Sequence, residues 1–204
     1  KPGESPIVAA HTSPSWRILL APHAGDNPMD DRIRKAQDEV RRLSDPRYAL
    51  ERLGWLFVAK AREQQDPGFY LLAQHCSTAI QENHPDSLEA LLLRGYVAQS
   101  LHRFAEAESI GRQLISRREF AADFGLLGDA LVDQGRLTGA IPHYQRMVDL
   151  GPDLQSYSRV AHVRWPKGDL EGATEAARDA ASSAGSSDSE AAAWALSRLA
   201  HYEF

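Results

Sequence analysis

"LLGDALVDQGRLTGAIPHYQRMVDLGPD" (126–153) has a helical rhythm with a glycine inside it. Phe124, Leu127 and Leu131 fall at helical spacing, and Gly128 stands among them. In an exposed helix interior that glycine costs about 1 kcal/mol relative to alanine. A helix that keeps it needs the space a side chain would fill. The pattern predicts a helix over about 122–134, stopped by Gly135, and a second over 139–149. Thr138 is expected to cap the second helix, and Pro142 to fall in its opening turn, where N–H groups lack intrahelical partners. Antiparallel helices on so short a turn approach closely where small residues face each other. Gly128 is therefore expected against Ala140.

The same pattern recurs along the chain. "HRFAEAE" (102–108), "GRLTGAI" (135–141) and "GDLEGAT" (168–174) lie in register at a 33-residue interval. Phe104, Leu137 and Leu170 share that interval, as do Ala107, Ala140 and Ala173. Gly95, Gly128 and Ala161 keep it in the preceding helices. Each unit reads as helix, short turn, helix. Upstream, "LERLGWLF" (50–57) places Gly54 at the small position and "YLLAQHCSTAIQ" (70–81) supplies a partner, across a longer turn. Downstream, "EAAAWALSRLAHYEF" (190–204) reads as the first helix of a fifth unit, in an array that is cut or continues past Phe204.

The organisation expected is an extended N-terminal arm over 1–26, a capping helix over 27–45 and an array over 46–204. The repeats fall at about 47–86, 87–120, 121–153 and 154–187, with a half repeat at 190–204. Pro28, early acids and late arginines mark the capping helix, whose Ile33, Ala36, Val40 and Leu43 would cover the end of the stack. Pro2, Pro6, Pro14 and Pro22 favour an extended arm. Its stretch from Trp16 to Leu20 would be an aggregation hazard in water, so it is expected to dock on apolar surface, in this chain's groove or a neighbour's. Such an arm would serve as a lid, or as the clasp of a homodimer.

The series Phe124, Leu127, Gly128, Leu131, Gly135, Leu137, Ala140, Tyr144, Pro152 resembles the tetratricopeptide repeat (TPR). Leu91, Gly95, Phe104 and Ala107 carry the likeness in the preceding unit, and Tyr157, Gly168, Leu170 and Ala173 in the following one. The ankyrin repeat shares the interval, but its Thr-Pro-Leu-His turn is absent and each unit here is helical throughout. The resemblance implies an all-α, right-handed superhelical solenoid whose concave groove, lined by the first helices, binds a peptide or protein. Trp165-Pro166 should end the first helix of the fourth unit a turn early.

Composition narrows the function classes. The 204 residues are 43% hydrophobic and 25% charged with net charge −5, which fits a packed chain without a basic nucleic-acid footprint. Arg41–Arg42 and Arg117–Arg118 read as solvated helix ends. No apolar run approaches the roughly 18–20 residues that span a bilayer. The chain opens on Lys1 and not Met, as a piece of a longer gene product or a chain freed of a signal peptide would. A cytoplasmic and an exported protein both fit.

A catalytic site is not expected. There is no His-Glu-x-x-His, no glycine-rich phosphate loop and no Gly-x-Ser-x-Gly. His75 and Cys76 adjoin, but neighbours on a helix point about 100° apart, so they make no nucleophile–base couple. Cys76 reads as a buried small hydrophobe, and His143 and His162 lie on different helices. Neither a metal nor a cofactor is expected.

By repeat register the groove is lined by Glu51, Trp55 and Val58; by Leu92, Tyr96 and Gln99; by Gly125, Asp129 and Val132; and by Ser158, His162 and Trp165. This makes an aromatic and apolar surface with one acid at its centre. The Lys, Asn and Arg set by which some TPR proteins grip a chaperone's C-terminal carboxylate is absent. The expected packing residues are Gly54, Gly95, Ala107, Gly128, Ala140, Ala161 and Ala173. The function expected is a non-enzymatic protein- or peptide-binding scaffold. The alternative is a regulatory or targeting part of a larger enzyme or secretion machine.

Overall fold

A computed structural model describes residues 14–184 and 189–203. Among these residues all regular structure is helical: eleven α-helices and one 3-10 turn. The chain divides into two compact units, 1–103 and 104–204. The division falls inside the second repeat.

In the first unit, α1 (Pro14–Leu19) is followed by α2 (Pro28–Arg42), α3 (Arg47–Gln64), α4 (Gly68–Asn83) and α5 (Leu88–Ser100). The arm is thus helical over Pro14–Leu19, because Pro14 at a helix start leaves the next turn free to close. The extended course expected for residues 1–13 lies outside the described residues. Asn27 caps α2 in a reciprocal capping box with Asp30. Ile33, Ala36 and Val40 are buried against the array, but Leu43 falls past the last turn and is exposed. The expected long turn after the first repeat helix is short, since α3 itself runs on to Gln64 and only Gln65–Pro67 remain. Leu50, Leu53 and Phe57 of α3, Cys76 and Ile80 of α4, and Leu93 and Val97 of α5 join one core with Trp16 and Leu19. Each of the aliphatic and Phe side chains among them contributes about 1.5–3 kcal/mol on burial.

The second unit holds α6 (Phe104–Ile115), α7 (Ala121–Asp133), α8 (Leu137–Leu150), α9 (Leu154–Arg164), α10 (Leu170–Ser182) and α11 (Ser189–Glu203). Helix α9 gives way to a 3-10 turn over Trp165–Lys167, as Trp165-Pro166 suggested. The α7–α8 boundaries differ from expectation. Helix α8 opens at Leu137 on Arg136, without a side-chain cap, so Thr138 is helical and Pro142 lies beyond the opening turn. The ring there removes one N–H from the helical ladder. Leu170, large at the repeat interval, begins α10 exposed. Arg118 is not solvated: its Nε and Nη2 donate to the buried Asp123, at 2.7 and 3.1 Å.

The repeat leaves its mark on the backbone. His102, Gly135 and Gly168, 33 residues apart, all take left-handed φ, at 58°, 77° and 81°. After α7 the turn is a Schellman motif: Gly135 N–H donates to Val132 O and Arg136 N–H to Leu131 O, at 2.8 and 2.9 Å.

Gly128 yields its space to a ring, not to Ala140. A methyl group there would lie 2.6 Å from Cδ1 of Tyr144 and closer still to Cε1. Tyr144 fills the gap because its phenol is tethered, donating to Asp129 Oδ1 at 2.8 Å. The close backbone approach lies elsewhere: a Cβ on Gly111 of α6 would stand 3.1 Å from Cα of Leu127. Gly128→Leu should therefore destabilise the second unit by about 1–3 kcal/mol, the usual cost of overpacking. A thermal melt at the parental midpoint would contradict this packing.

Candidate functional site

Helices α3 and α5 are the first helices of neighbouring repeats and pack together within the first unit. Trp55 on α3 and Tyr96 on α5 meet edge to face, with ring centroids 5.3 Å apart and planes at 68°. Both are half-buried against the core, which fixes their rings while leaving part of each exposed. Leu92, a turn before Tyr96, and Gln99, a turn after it, are half-buried too. Val58 is not a groove residue: it is buried in the core.

Tyr48 extends this surface, although the repeat register does not include it. It precedes Trp55 by two helical turns, so it shares that face, and it is 67% exposed. Arg47 lies over its ring, with Cζ 4.6 Å from the centroid. The signal was available, since the seven-residue interval is that of one helical face. Tyr48, Trp55, Leu92 and Tyr96 give the first unit an aromatic and apolar surface.

The second unit treats the expected groove residues differently. Asp129 is no open acid: Arg159 Nε and Nη2 donate to its two oxygens, both at 2.8 Å, and Tyr144 donates to Oδ1. The phenol's pKa is pushed far up by burial, with the Asp129 charge beside it adding to the effect. Gly125 is buried under Met147, and Val132 packs half-buried on the core of α7 and α8. Trp165 lies 4.7 Å from Tyr202 and 5.6 Å from His201, centroid to centroid, so it packs against α11. His162 is exposed and Ser158 half-buried. The structure therefore brings Trp55, Leu92, Tyr96 and Gln99 together. It commits Asp129 and Trp165 to internal partners.

The seven small residues, Gly54, Gly95, Ala107, Gly128, Ala140, Ala161 and Ala173, are all buried. Cys76 is buried as well, and burial pushes its thiol pKa well up. His75 points to Ser15 instead, Nδ1 to Oγ 3.2 Å. His143 stacks on Phe124, and burial, then the nearby Arg112, lowers its pKa. Among the described residues no cluster of His, Cys, Asp or Glu could hold a metal ion, and no helix is long and apolar enough to cross a membrane.

A second group escaped the sequence. Lys60 of α3 is buried with its Nζ 2.9 Å from Asp30 Oδ1 of α2, and His23 Nε2 reaches the same oxygen at 2.8 Å. The Lys60 ammonium, then the hydrogen bond with His23, holds the Asp30 pKa well below the carboxylate range against the opposing effect of burial. Burial pulls the Lys60 pKa down, but the carboxylate of Asp30, with that of Glu63, outweighs it and raises the pKa overall. A lysine on a helix reads as solvated, and its partner stands 30 residues earlier on another helix.

These helix–turn–helix units, with small residues at a fixed interval, define a fold of the TPR class. The comparisons agree. TTC0263, a thermophilic TPR protein of Thermus thermophilus, superposes with a TM-score of 0.71 at 15% identity, covering 84% of this chain and 91% of its own. The protein MamA gives 0.53 at 17% identity, covering 77% and 94%. A MamA RS-1 double mutant gives 0.57 at 17%, covering 87% and 94%. No protein-family model matches the chain, and no curated protein sequence does.

Proposed function

We propose that this chain is a non-enzymatic protein- or peptide-binding module, and that the face of α3 and α5 is where it takes its partner. The observation that carries the reading is the Trp55–Tyr96 pair, set edge to face on a half-exposed surface that Tyr48 extends. Aromatic side chains held rigid by a core offer large contact area at small entropic cost, and they dominate recognition surfaces. The TPR fold supports the same reading, since such arrays serve generally as interaction scaffolds. The second unit's expected groove residues are largely spent on internal packing, which favours the first unit as the recognition surface.

Replacing Trp55 and Tyr96 together by Ala should abolish cross-linked capture of the partner from native cell extract while helical content, read by circular dichroism, stays near parental. Capture lost together with helix would reduce the pair to core residues. Capture unchanged would place recognition elsewhere.

A further inference from the structure

The first unit carries a cleft of about 620 Å³, a size typical of small-ligand sites. Its walls are mostly apolar, from Pro14, Ile18, Pro22, Phe57 and Leu72. One wall is the strap that follows α1, and this strap is pinned. Gln37 Nε2 donates to Leu19 O and Ala21 O at 2.7 and 3.0 Å, Arg41 to Leu20 O at 2.9 Å and Arg34 to Gly25 O at 2.6 Å. His23, which also lines the cleft, is fixed by Asp30 at one ring nitrogen and lies edge-on to Phe57 and Phe69. The strap wall of the cleft is thus held in place by side-chain hydrogen bonds from the helix behind it.

Its charge is one-sided. No Asp or Glu is among the described residues that line it, whereas the exposed Arg17 does, with no partner among the described residues. The His23 ring gives its Nε2 to Asp30, which leaves Nδ1 as its other polar atom. Asp30 itself stands behind His23, occupied by Lys60. A buried Lys–Asp pair is not needed to stabilise an apolar end cap, where hydrophobic residues do as well or better. Here it anchors the histidine of the cleft wall, and perturbed titratable groups beside a cleft are a feature of binding sites.

We propose that the cleft binds a small amphipathic carboxylate, with its apolar body along Ile18, Phe57 and Leu72 and its anionic head on Arg17 beside His23. This site is independent of the protein-binding face on α3 and α5.

Calorimetric titration of the full chain with decanoate, decanol and decyltrimethylammonium, each below its micellar concentration, tests the proposal. Saturable one-to-one binding of decanoate is expected, with decanol weaker and the ammonium not bound. Arg17→Gln, on an exposed side chain, should leave the melting midpoint unchanged and weaken decanoate about tenfold, the effect of losing one charge-assisted hydrogen bond. Ala21→Phe, which fills the cleft from its exposed wall, should block decanoate outright. No saturable binding, equal binding of all three amphiphiles, or decanoate affinity unchanged in Arg17→Gln would each overturn the site.

Discussion

Replacing Trp16 with Ala is expected to destabilise the first unit by about 3–5 kcal/mol, the range for truncating a fully buried large aromatic side chain. Trp16 is 1% exposed, and Leu19 one turn on is fully buried. Helix α1 packs on α4, where Trp16 Nε1 donates to Glu82 Oε2 at 3.1 Å. Over Pro14–Leu19 the chain therefore docks on a second helix of its own unit and not on a groove lined by first helices, and the buried Trp16 and Leu19 are not available to clasp another chain. Arg17 and Ile18 of this stretch stay exposed, Ile18 at 43% and both at the cleft, and Leu20 is half-buried. Urea unfolding of Trp16→Ala and of Trp194→Ala, whose ring is exposed on α11, makes the comparison. The first should lose midpoint and bind an apolar dye, and the second should stay within about 0.5 kcal/mol of the parent. Equal midpoints for all three proteins would show the arm to be a passive tail.

The second large effect concerns Lys60 and Asp30. Removing one member strands the other charge in the core, and an uncompensated buried charge is strongly destabilising. Lys60→Met and Asp30→Asn should each lower the urea midpoint more than any exposed-surface change. The double variant Lys60→Met/Asp30→Asn should recover most of the loss, because no charge is then left unpaired and the amide oxygen at position 30 can still accept from Asn27 N–H. The pH dependence follows from the directions of the two shifts. Asp30 is depressed in the folded chain, so its contribution is present above its ordinary value of 3.8 and drains away as pH falls below that. Lys60 is raised, so its contribution is complete below its ordinary 10.5 and is lost as pH climbs through the folded value. The gap between the parent and Asp30→Asn should thus be widest between those limits and narrow on acidification. A gap that stays constant down to about pH 2 would contradict the pairing.

What the sequence made legible was periodic. The 33-residue interval marked out an all-helical chain of helix–turn–helix pairs, since that pattern depends on neighbours within one pair, and Gly135 and Gly168, which keep the interval, both take left-handed φ. What it concealed was particular to pairs. Gly128 announced a vacancy but not its tenant, because Ala140 and Tyr144 lie one turn apart on the same helix and either could have met it. Asp129 fitted the groove register, yet Arg159, 30 residues on in the next repeat, closes on it with both nitrogens. Trp165 likewise met the register and was taken by Tyr202. Register assigns a residue to a face. It does not say whether a neighbour covers it.

The face of α3 and α5 is expected to receive a protein partner, and Tyr48 offers the most direct test because it is exposed and outside the core. A photo-crosslinking residue at position 48, with another at the exposed Leu71 of α4 as comparison, reports which surface is occupied in native extract. One discrete adduct from position 48, missing from position 71 and abolished by Trp55→Ala, is the result predicted. The same adduct from both positions, or one at 48 that survives Trp55→Ala, would contradict it.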